Sequence, residues 1–409
     1  MIEVLYLSYD GMTDPLGQSQ VIPYLAGLSK HGFHFHLISF EKPENYKKEH
    51  RHIQDLLRSH NIEWHPLTYT KKPPVISTMR DLSRMKKRSL ELVQQHAIKI
   101  VHCRSYISGI AGLSLQKETG IKFIFDMRGF WADERVEGGL WNLTNPIYKA
   151  VYNFFKGKEK EMLSNADVVI SLTENAKEVI DSWKLRTSRQ HNIQVIPCCA
   201  DLDHFHPGAV DNHASRKMRT KLDIAEDVQV ISYLGAIGTW YMLDEMLDFF
   251  KLFLTKHPDA IFLFITHEPF LNITEKATAR NIPVENLRHI AARRNEVPVA
   301  LSLSHTALFF IRPTFSKKAS SPTKQGEIMG MGIPLICNAG IGDTDHVVER
   351  YGSGFSIDVT NSASMQQAVD NYDELGKIPK TKIMQGATEF YSLVSGVNKY
   401  LNVYKNLIE

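Results

Sequence analysis

The segment Ser321-Pro322-Thr323-Lys324-Gln325-Gly326-Glu327 places two kinds of chemistry side by side. A helix opening after Ser-Pro offers unpaired backbone N–H groups and the positive end of its dipole to an anion. Lys324 adds a full charge in the first turn. Glu327, three residues on, lies on the same helix face, where its carboxylate can accept hydrogen bonds from vicinal hydroxyls. Phosphate binding beside hydroxyl binding reads as a nucleotide-sugar site. The glycines and proline of Met329-Gly330-Met331-Gly332-Ile333-Pro334 then lead straight into a buried-strand run.

Four other stretches carry groups of the same kind. Gly11 to Gln20 lies between the first expected strand and helix. Gly17 permits close backbone approach there, and Gln18 and Gln20 can bond hydroxyls, although a capped turn explains the same residues. Asp126-Met127-Arg128 follows a strand end and runs on to Glu134 and Arg135. The Arg128 guanidinium suits a phosphate or sugar hydroxyl, and an internal arginine–carboxylate network is the alternative. His102 and Arg104, ending the preceding strand, invite the same two readings. Gly235-Ala236-Ile237-Gly238 forms a loop whose N–H groups can face a diphosphate, and Arg312 can neutralise that diphosphate together with Lys324. Asp201-Leu202-Asp203 and Asp343-Thr344-Asp345 have the spacing of a metal-binding acidic pair. The first lies in a linker and the second caps a helix start, so neither is taken as a metal site.

The elements that must hold these residues alternate. Strands are expected at Glu3–Ser8, Phe35–Phe40, Ile100–Cys103, Phe123–Asp126, Val168–Ser171 and Gln194–Ile196, with a helix over Gln18–His31. A Pro-bounded linker from Ile196 to Pro207 follows. The pattern then restarts with strands at Val228–Tyr233, Ala260–Ile265, Leu287–Ile290, Ala307–Phe310 and Pro334–Cys337, and a helix from Tyr241 to about Leu254. Strands separated by helices imply α/β architecture with parallel, doubly wound sheets. The boundaries are set at 1–203 for the first domain, joined by a C-terminal helix over 388–409, and 204–387 for the second.

The bulk numbers agree with a globular protein. The chain has 409 residues, 43% hydrophobic and 23% charged, enough for two full cores. Four cysteines, two of them adjacent and none in a CxxC pair, argue for a reducing, cytoplasmic setting and against a disulfide scaffold or a zinc site. The start lacks the pattern of a signal peptide, and no apolar run is long enough to span a membrane. The net charge of +3 divides into +6 over the first 200 residues and −3 over the rest. Arg80, Arg84, Lys87 and Arg88 fall on one helical stripe. That stripe is either a solvated face or a contact for an anionic membrane surface, so peripheral attachment at the inner face of the plasma membrane is in view. Modest overall charge and the absence of a known module speak against nucleic acid.

Several motifs in the right order resemble the retaining GT-B-fold glycosyltransferases of the group 1, family-four type, which includes many enzymes of bacterial surface-polysaccharide synthesis. They are Asp14-Pro15-Leu16-Gly17-Gln18-Ser19-Gln20, Val195-Ile196-Pro197 followed by Asp201 and Phe205, Ser321 to Ile336, and Tyr400-Leu401-Asn402-Val403-Tyr404. The resemblance implies two Rossmann-like domains facing across a cleft, with a C-terminal helix crossing back to the first. It implies a nucleotide-sugar donor in the second domain, a glycan or lipid-linked acceptor in the first, and transfer to a hydroxyl with retention and without a metal or other cofactor. The donor set is then Gly17, Gly235, Gly238, Arg312, Ser321, Lys324 and Glu327. Arg128 and Asp126 fall at the catalytic centre, and Gln18, Gln20, His102, Arg104, Glu134 and Arg135 at the acceptor. The chain departs from the pattern at Ala319, where a second Glu is usual, and at Thr239-Trp240-Tyr241-Met242, where an Arg and a Lys are usual. Arg128 stands where a His is often found, and Cys198-Cys199 replaces a linker glycine. Arg312 and Arg128 are expected to supply the missing positive charge. A non-hydrolysing nucleotide-sugar epimerase of the same fold, with Asp126, Glu134 and His102 as acid and base, is the competing enzyme class. A non-catalytic nucleotide-sugar-binding protein is the other alternative.

Overall fold

A computed structural model describes residues 1–185 and 192–409. The chain divides into two compact units, Met1–Pro197 with Leu393–Glu409, and Cys198–Ser392. These limits differ by a few residues from 203/204 and 387/388. Cys198 to Ala200 go with the second unit because the Cys198 N–H bonds Ser321 Oγ and Ala200 bridges to Ser392.

The first unit holds a seven-stranded parallel sheet in the order β3-β2-β1-β4-β5-β6-β7. The strands are β1 Ile2–Ser8, β2 Phe33–Glu41, β3 Ile62–Thr68, β4 Ile100–Arg104, β5 Lys122–Asp126, β6 Val168–Ser171 and β7 Ile193–Val195. Central strands such as β1 and β4 are buried nearly throughout because helices cover both faces. The edge strand β3 went unrecognised in the sequence: Glu63, His65 and Pro66 break its apolar run, and an edge tolerates a residue without an N–H. The helix expected over Gln18–His31 is two helices, Pro15–Gln20 and Ile22–Ser29, broken at Val21. Pro23 lacks an N–H, and its ring excludes the carbonyl four residues back.

The helix Leu393–Ile408 completes this unit. Tyr400 packs edge-on to Tyr24 and Tyr404 to Phe33, at 5.5 and 5.1 Å between ring centroids. A Cβ on Gly27 would stand 2.6 Å from Val397 Cγ2, so glycine is what lets this helix approach.

The second unit holds a six-stranded parallel sheet in the order β10-β9-β8-β11-β12-β13. Its strands are β8 Val230–Leu234, β9 Ile261–Ile265, β10 Leu287–Ile290, β11 Thr306–Phe309, β12 Leu335–Asn338 and β13 Gly354–Ile357. The short edge strand β13 is the one not anticipated here. Its first residue must be glycine, since a Cβ would lie 1.8 Å from the Leu335 carbonyl oxygen.

Candidate functional site

In both sheets the strand order reverses between the first and fourth strands of the unit. Chains leave the two strands in opposite directions there, which opens a crevice at their C-terminal ends. In the second unit the crevice lies between β8 and β11. The Gly235–Met242 loop follows β8, the Phe310–Ala319 segment follows β11, and the helix Thr323–Gly330 starts beside them. The two loops are tied together. The Met242 N–H donates to the Phe310 carbonyl at 3.0 Å, and the Arg312 N–H to the Trp240 carbonyl at 2.8 Å.

Lys324 enters this place from the first helical turn and is only 8% exposed. Its Nζ lies 3.8 Å from the Tyr241 ring centroid and 4.5 Å from that of Tyr233, and it donates to Tyr233 Oη at 3.3 Å. Tyr233 in turn donates to the Ala236 carbonyl at 2.6 Å. Gly235, at φ +113°, passes directly over the amine, and a Cβ there would stand 2.9 Å from Nζ. Burial brings the Lys324 ammonium down to about 7, with Glu327 pulling the other way. The Glu327 side chain is 14% exposed and 3.9 Å from Arg294 Nη1. Burial pushes its carboxyl up, against Arg294 and Lys324. The site is thus a half-charged lysine in an aromatic cradle with a carboxylate one turn away.

The remaining donor candidates have varied surroundings. Ser321 Oγ accepts the Cys198 N–H at 3.1 Å, which anchors the helix start to the linker. Gly238 is exposed and a side chain there would meet nothing, so packing does not demand glycine. Arg312 is exposed, three residues past the end of β11. Lys317 was overlooked in the sequence. It is buried, with Nζ 3.8 Å above the Trp240 ring. Trp240 and Tyr241 therefore hold two lysines that come from elsewhere in the chain. The signal was present as adjacent aromatics following a glycine loop.

In the first unit the crevice lies between β1 and β4. Glu41, buried at the end of β2, accepts the Met12 and Thr13 N–H groups at 2.8 and 3.0 Å and both the Thr13 and Ser39 hydroxyls at 2.5 Å. That carboxylate shapes the loop. Gly17 is required by its neighbours, since a Cβ would lie 2.2 Å from the Gly11 carbonyl oxygen. Gln18 is exposed, whereas Gln20 is buried. Arg104 is buried and paired with Asp10 at 3.2 Å across the crevice.

Asp126 and His102 lie deep in the first unit. At 1% and 2% exposure both are sealed inside the unit. Tyr400 donates to Asp126 Oδ2 at 3.0 Å, and Tyr404 Oη is 2.7 Å from His102 Nδ1. Burial pushes the Asp126 carboxyl up, but Arg128 at 3.8 Å and His102 outweigh it and hold it below the usual range. Burial holds His102 neutral. These two residues anchor the C-terminal helix. Arg128 stands half-buried at φ +58°, a left-handed conformation rare for a side-chain-bearing residue. Arg135 lies 3.9 Å above the Trp131 ring, with the half-buried Glu134 beside it. The basic stripe is also partly spent. Arg84 pairs with Asp81 at 3.3 Å and Arg88 with Glu91 at 3.1 Å, which leaves Arg80 and Lys87 as its exposed members.

Residues 17–204 match the model of Glycosyltransferase Family 4. No curated protein matches the chain's sequence significantly. Among solved structures it is similar to sucrose-phosphate synthase from Thermosynechococcus elongatus, at 13% identity and TM-score 0.76, covering 100% of this chain and 99% of that one. A glycosyltransferase from Rickettsia africae is similar at 17% identity and TM-score 0.72, with 100% and 99% covered. Anabaena HepE in complex with UDP and glucose is similar at 11% identity and TM-score 0.71, with 99% and 100% covered. At such identities the likeness is one of fold, and the fold is the GT-B class. No helix among the described residues is long and apolar enough to cross a membrane.

Proposed function

We propose that the chain moves a sugar from a nucleotide-sugar donor to a hydroxyl of a glycan or lipid-linked acceptor, with retention and without a metal in the reaction, in bacterial surface-polysaccharide synthesis. One observation carries the donor half of this reading. Lys324 is buried against Tyr233 and Tyr241 at the β8/β11 crevice with Glu327 one turn on. A bound diphosphate gives that lysine the counter-charge it lacks, and the carboxylate is placed for ribose hydroxyls. HepE, similar in fold, has been solved with UDP-glucose, which makes UDP-sugars the first donors to try. Transition-state stabilisation then falls to Lys324, Lys317, Arg312 and the helix start, which neutralise the departing diphosphate. On the acceptor side Arg128, Arg104 and the Gln18 loop remain the candidates.

A thermal-shift screen over UDP-, GDP-, ADP- and CMP-sugars identifies the donor, because a ligand of the native state raises the melting temperature. Proton NMR of the product reports the anomer. An epimerase needs an acid and a base beside the sugar, and two of its three candidates, Asp126 and His102, are sealed. Donor incubated alone should give slow hydrolysis and no new sugar, and a new sugar would sink the transferase reading.

Membrane attachment is part of the same proposal. Ile76 and Met79 at the start of the helix Ile76–Gln95 are 65% and 66% exposed, and Ile147 and Phe154 on the helix Pro146–Asn165 are also exposed. Exposed Lys71, Lys72, Arg80, Lys87 and Lys149 stand on the same segments. Apolar tips among lysines suit an anionic bilayer surface. Flotation with anionic vesicles should carry the protein up, Ile76→Asp with Met79→Asp should abolish this, and equal flotation of both proteins would refute it.

A further inference from the structure

The first sheet carries a second chemical cluster at the end opposite its crevice. The register pairs Glu3 of β1 with His34 of β2, and His36 of β2 with Glu63 of β3. Residues two apart on a strand share a face, so His34 and His36 stand together, as do Glu63 and His65. Glu3 Oε2 lies 2.7 Å from His34 Nδ1 and 3.0 Å from His36 Nε2. His96, just past the helix Ile76–Gln95, brings its ring centroid to 4.1 Å from that of His36. On its other side, His36 Nδ1 is 3.5 Å from Glu63 Oε2 and 3.4 Å from His65 Nε2.

Four imidazoles in ring contact would repel one another if protonated. Two imidazole nitrogens beside a carboxylate oxygen form the donor set that divalent transition metals prefer. His65 is excluded from that set. Arg88 Nη2 stands 3.2 Å from His65 Nδ1 and can only donate, so the proton of His65 sits on Nε2. In the free protein His36 donates from Nε2 to Glu3 Oε2 and accepts the His65 proton at Nδ1; an ion at Nε2 would move the His36 proton to Nδ1, where the Glu63 carboxylate stands 3.5 Å away.

We propose that Glu3 Oε2, His34 Nδ1 and His36 Nε2 form a site for one divalent transition-metal ion of the zinc class. The three donor atoms lie within 4.8 Å of one another. Around zinc, with bonds of about 2.0–2.1 Å, tetrahedral donors lie roughly 3.3 Å apart, so small side-chain movements convert the existing contacts into ligation. Two nitrogens, one oxygen and an open fourth position suit zinc, cobalt or nickel, whereas magnesium and calcium ask for oxygen shells. His36 is fully buried and rigid, while Glu3 and His34 are about a quarter exposed and give the ion a way in. The site is separate from the transfer chemistry. Glu3 lies five residues from Ser8 along β1, about 16 Å at the rise of a strand. A metal there ties β1 to β2 at their N-terminal ends and stabilises the unit.

The test uses untagged full-length protein stripped with chelator. Cobalt(II) titrated at pH 7.5 should bind one ion per chain with a visible d–d absorption, and zinc should displace it and raise the melting temperature by several degrees. Binding should weaken at pH 5.5, because the histidines must shed protons to ligate. His34→Ala and Glu3→Gln, both at partly exposed positions, should each weaken cobalt binding at least tenfold and remove the band. His65→Ala and His206→Ala should leave both intact. Absence of a d–d band in the wild type, or binding unchanged in both His34→Ala and Glu3→Gln, overturns the proposal.

Discussion

Lys324 should make donor binding depend on pH in a way few surface lysines would. Its ammonium titrates at about 7 in the free protein, against an ordinary value of about 10.4. A diphosphate at Nζ supplies the missing counter-charge and raises that value in the complex. Below pH 7 the lysine is protonated with or without donor, and affinity is flat. Above pH 7 the free protein has shed the proton and binding must take it up again, so affinity falls about tenfold per pH unit until the complex itself titrates. Between pH 6 and pH 8 the loss comes to about tenfold, or ~1.4 kcal/mol. The assay is calorimetric titration with an intact nucleotide sugar, whose diphosphate diester does not titrate in this range, in two buffers of different ionisation enthalpy. Proton uptake should be about half a proton at pH 7 and approach one at pH 8. The fold bears the opposite cost. Between pH 7 and 10 the unfolded chain holds a proton that the native state has lost, so native stability rises with pH there, and at pH 7 the penalty is on the order of 4 kcal/mol at most. Lys324→Met should therefore melt higher than wild type at pH 7 while binding donor at least a hundredfold more weakly, and without proton uptake. Wild-type affinity that is flat from pH 6 to 8 with no proton uptake would refute the reasoning.

Three further outcomes are expected. Tyr400→Phe removes a donor from the buried Asp126 anion and should cost about 1–3 kcal/mol in urea unfolding, whereas an unchanged midpoint would mean that the hydroxyl does not hold the C-terminal helix. Gly17→Ala forces a methyl into the Gly11 carbonyl and the Met12 backbone; a loss of about 1–3 kcal/mol is expected, and a melting temperature equal to wild type would show that the loop yields easily. Trp240→Ala strips the ring from buried Lys317, worth about 2 kcal/mol for a desolvated cation–π contact, and should lower donor affinity; an unaltered dissociation constant would exclude Lys317 from the site.

The parts of the fold that were legible are those with local causes. β1, β4, β8 and β9 are largely apolar runs buried on both faces. β3 and β13 escaped because edge strands are covered less and carry Pro66 and Gly354. The lysine and carboxylate of the donor site were visible because a helix start is a local motif. Its cradle was not, because Tyr233 and Tyr241 look like ordinary strand and helix aromatics until Lys324 folds back across 91 residues. His102 and Asp126 show the same limit from the other side. Their places at strand ends were legible, but the tyrosines that enclose them lie 302 and 274 residues away. The histidine–glutamate cluster is also a product of register, drawn from three strands and a helix end, and no CxxC-like spacing announces it.

The return of Leu393–Ile408 to the first unit has a consequence for synthesis. Residues 1–197 emerge from the ribosome first, yet the hydroxyls that cap Asp126 and His102, and the rings that cover Tyr24 and Phe33, arrive only after the whole second unit has been made. At roughly 5–20 residues per second the wait is about 10–40 s. During it the nascent first unit lacks the helix that covers Tyr24, Phe33 and Asp126. Its core closes only when the last turns of that helix leave the tunnel.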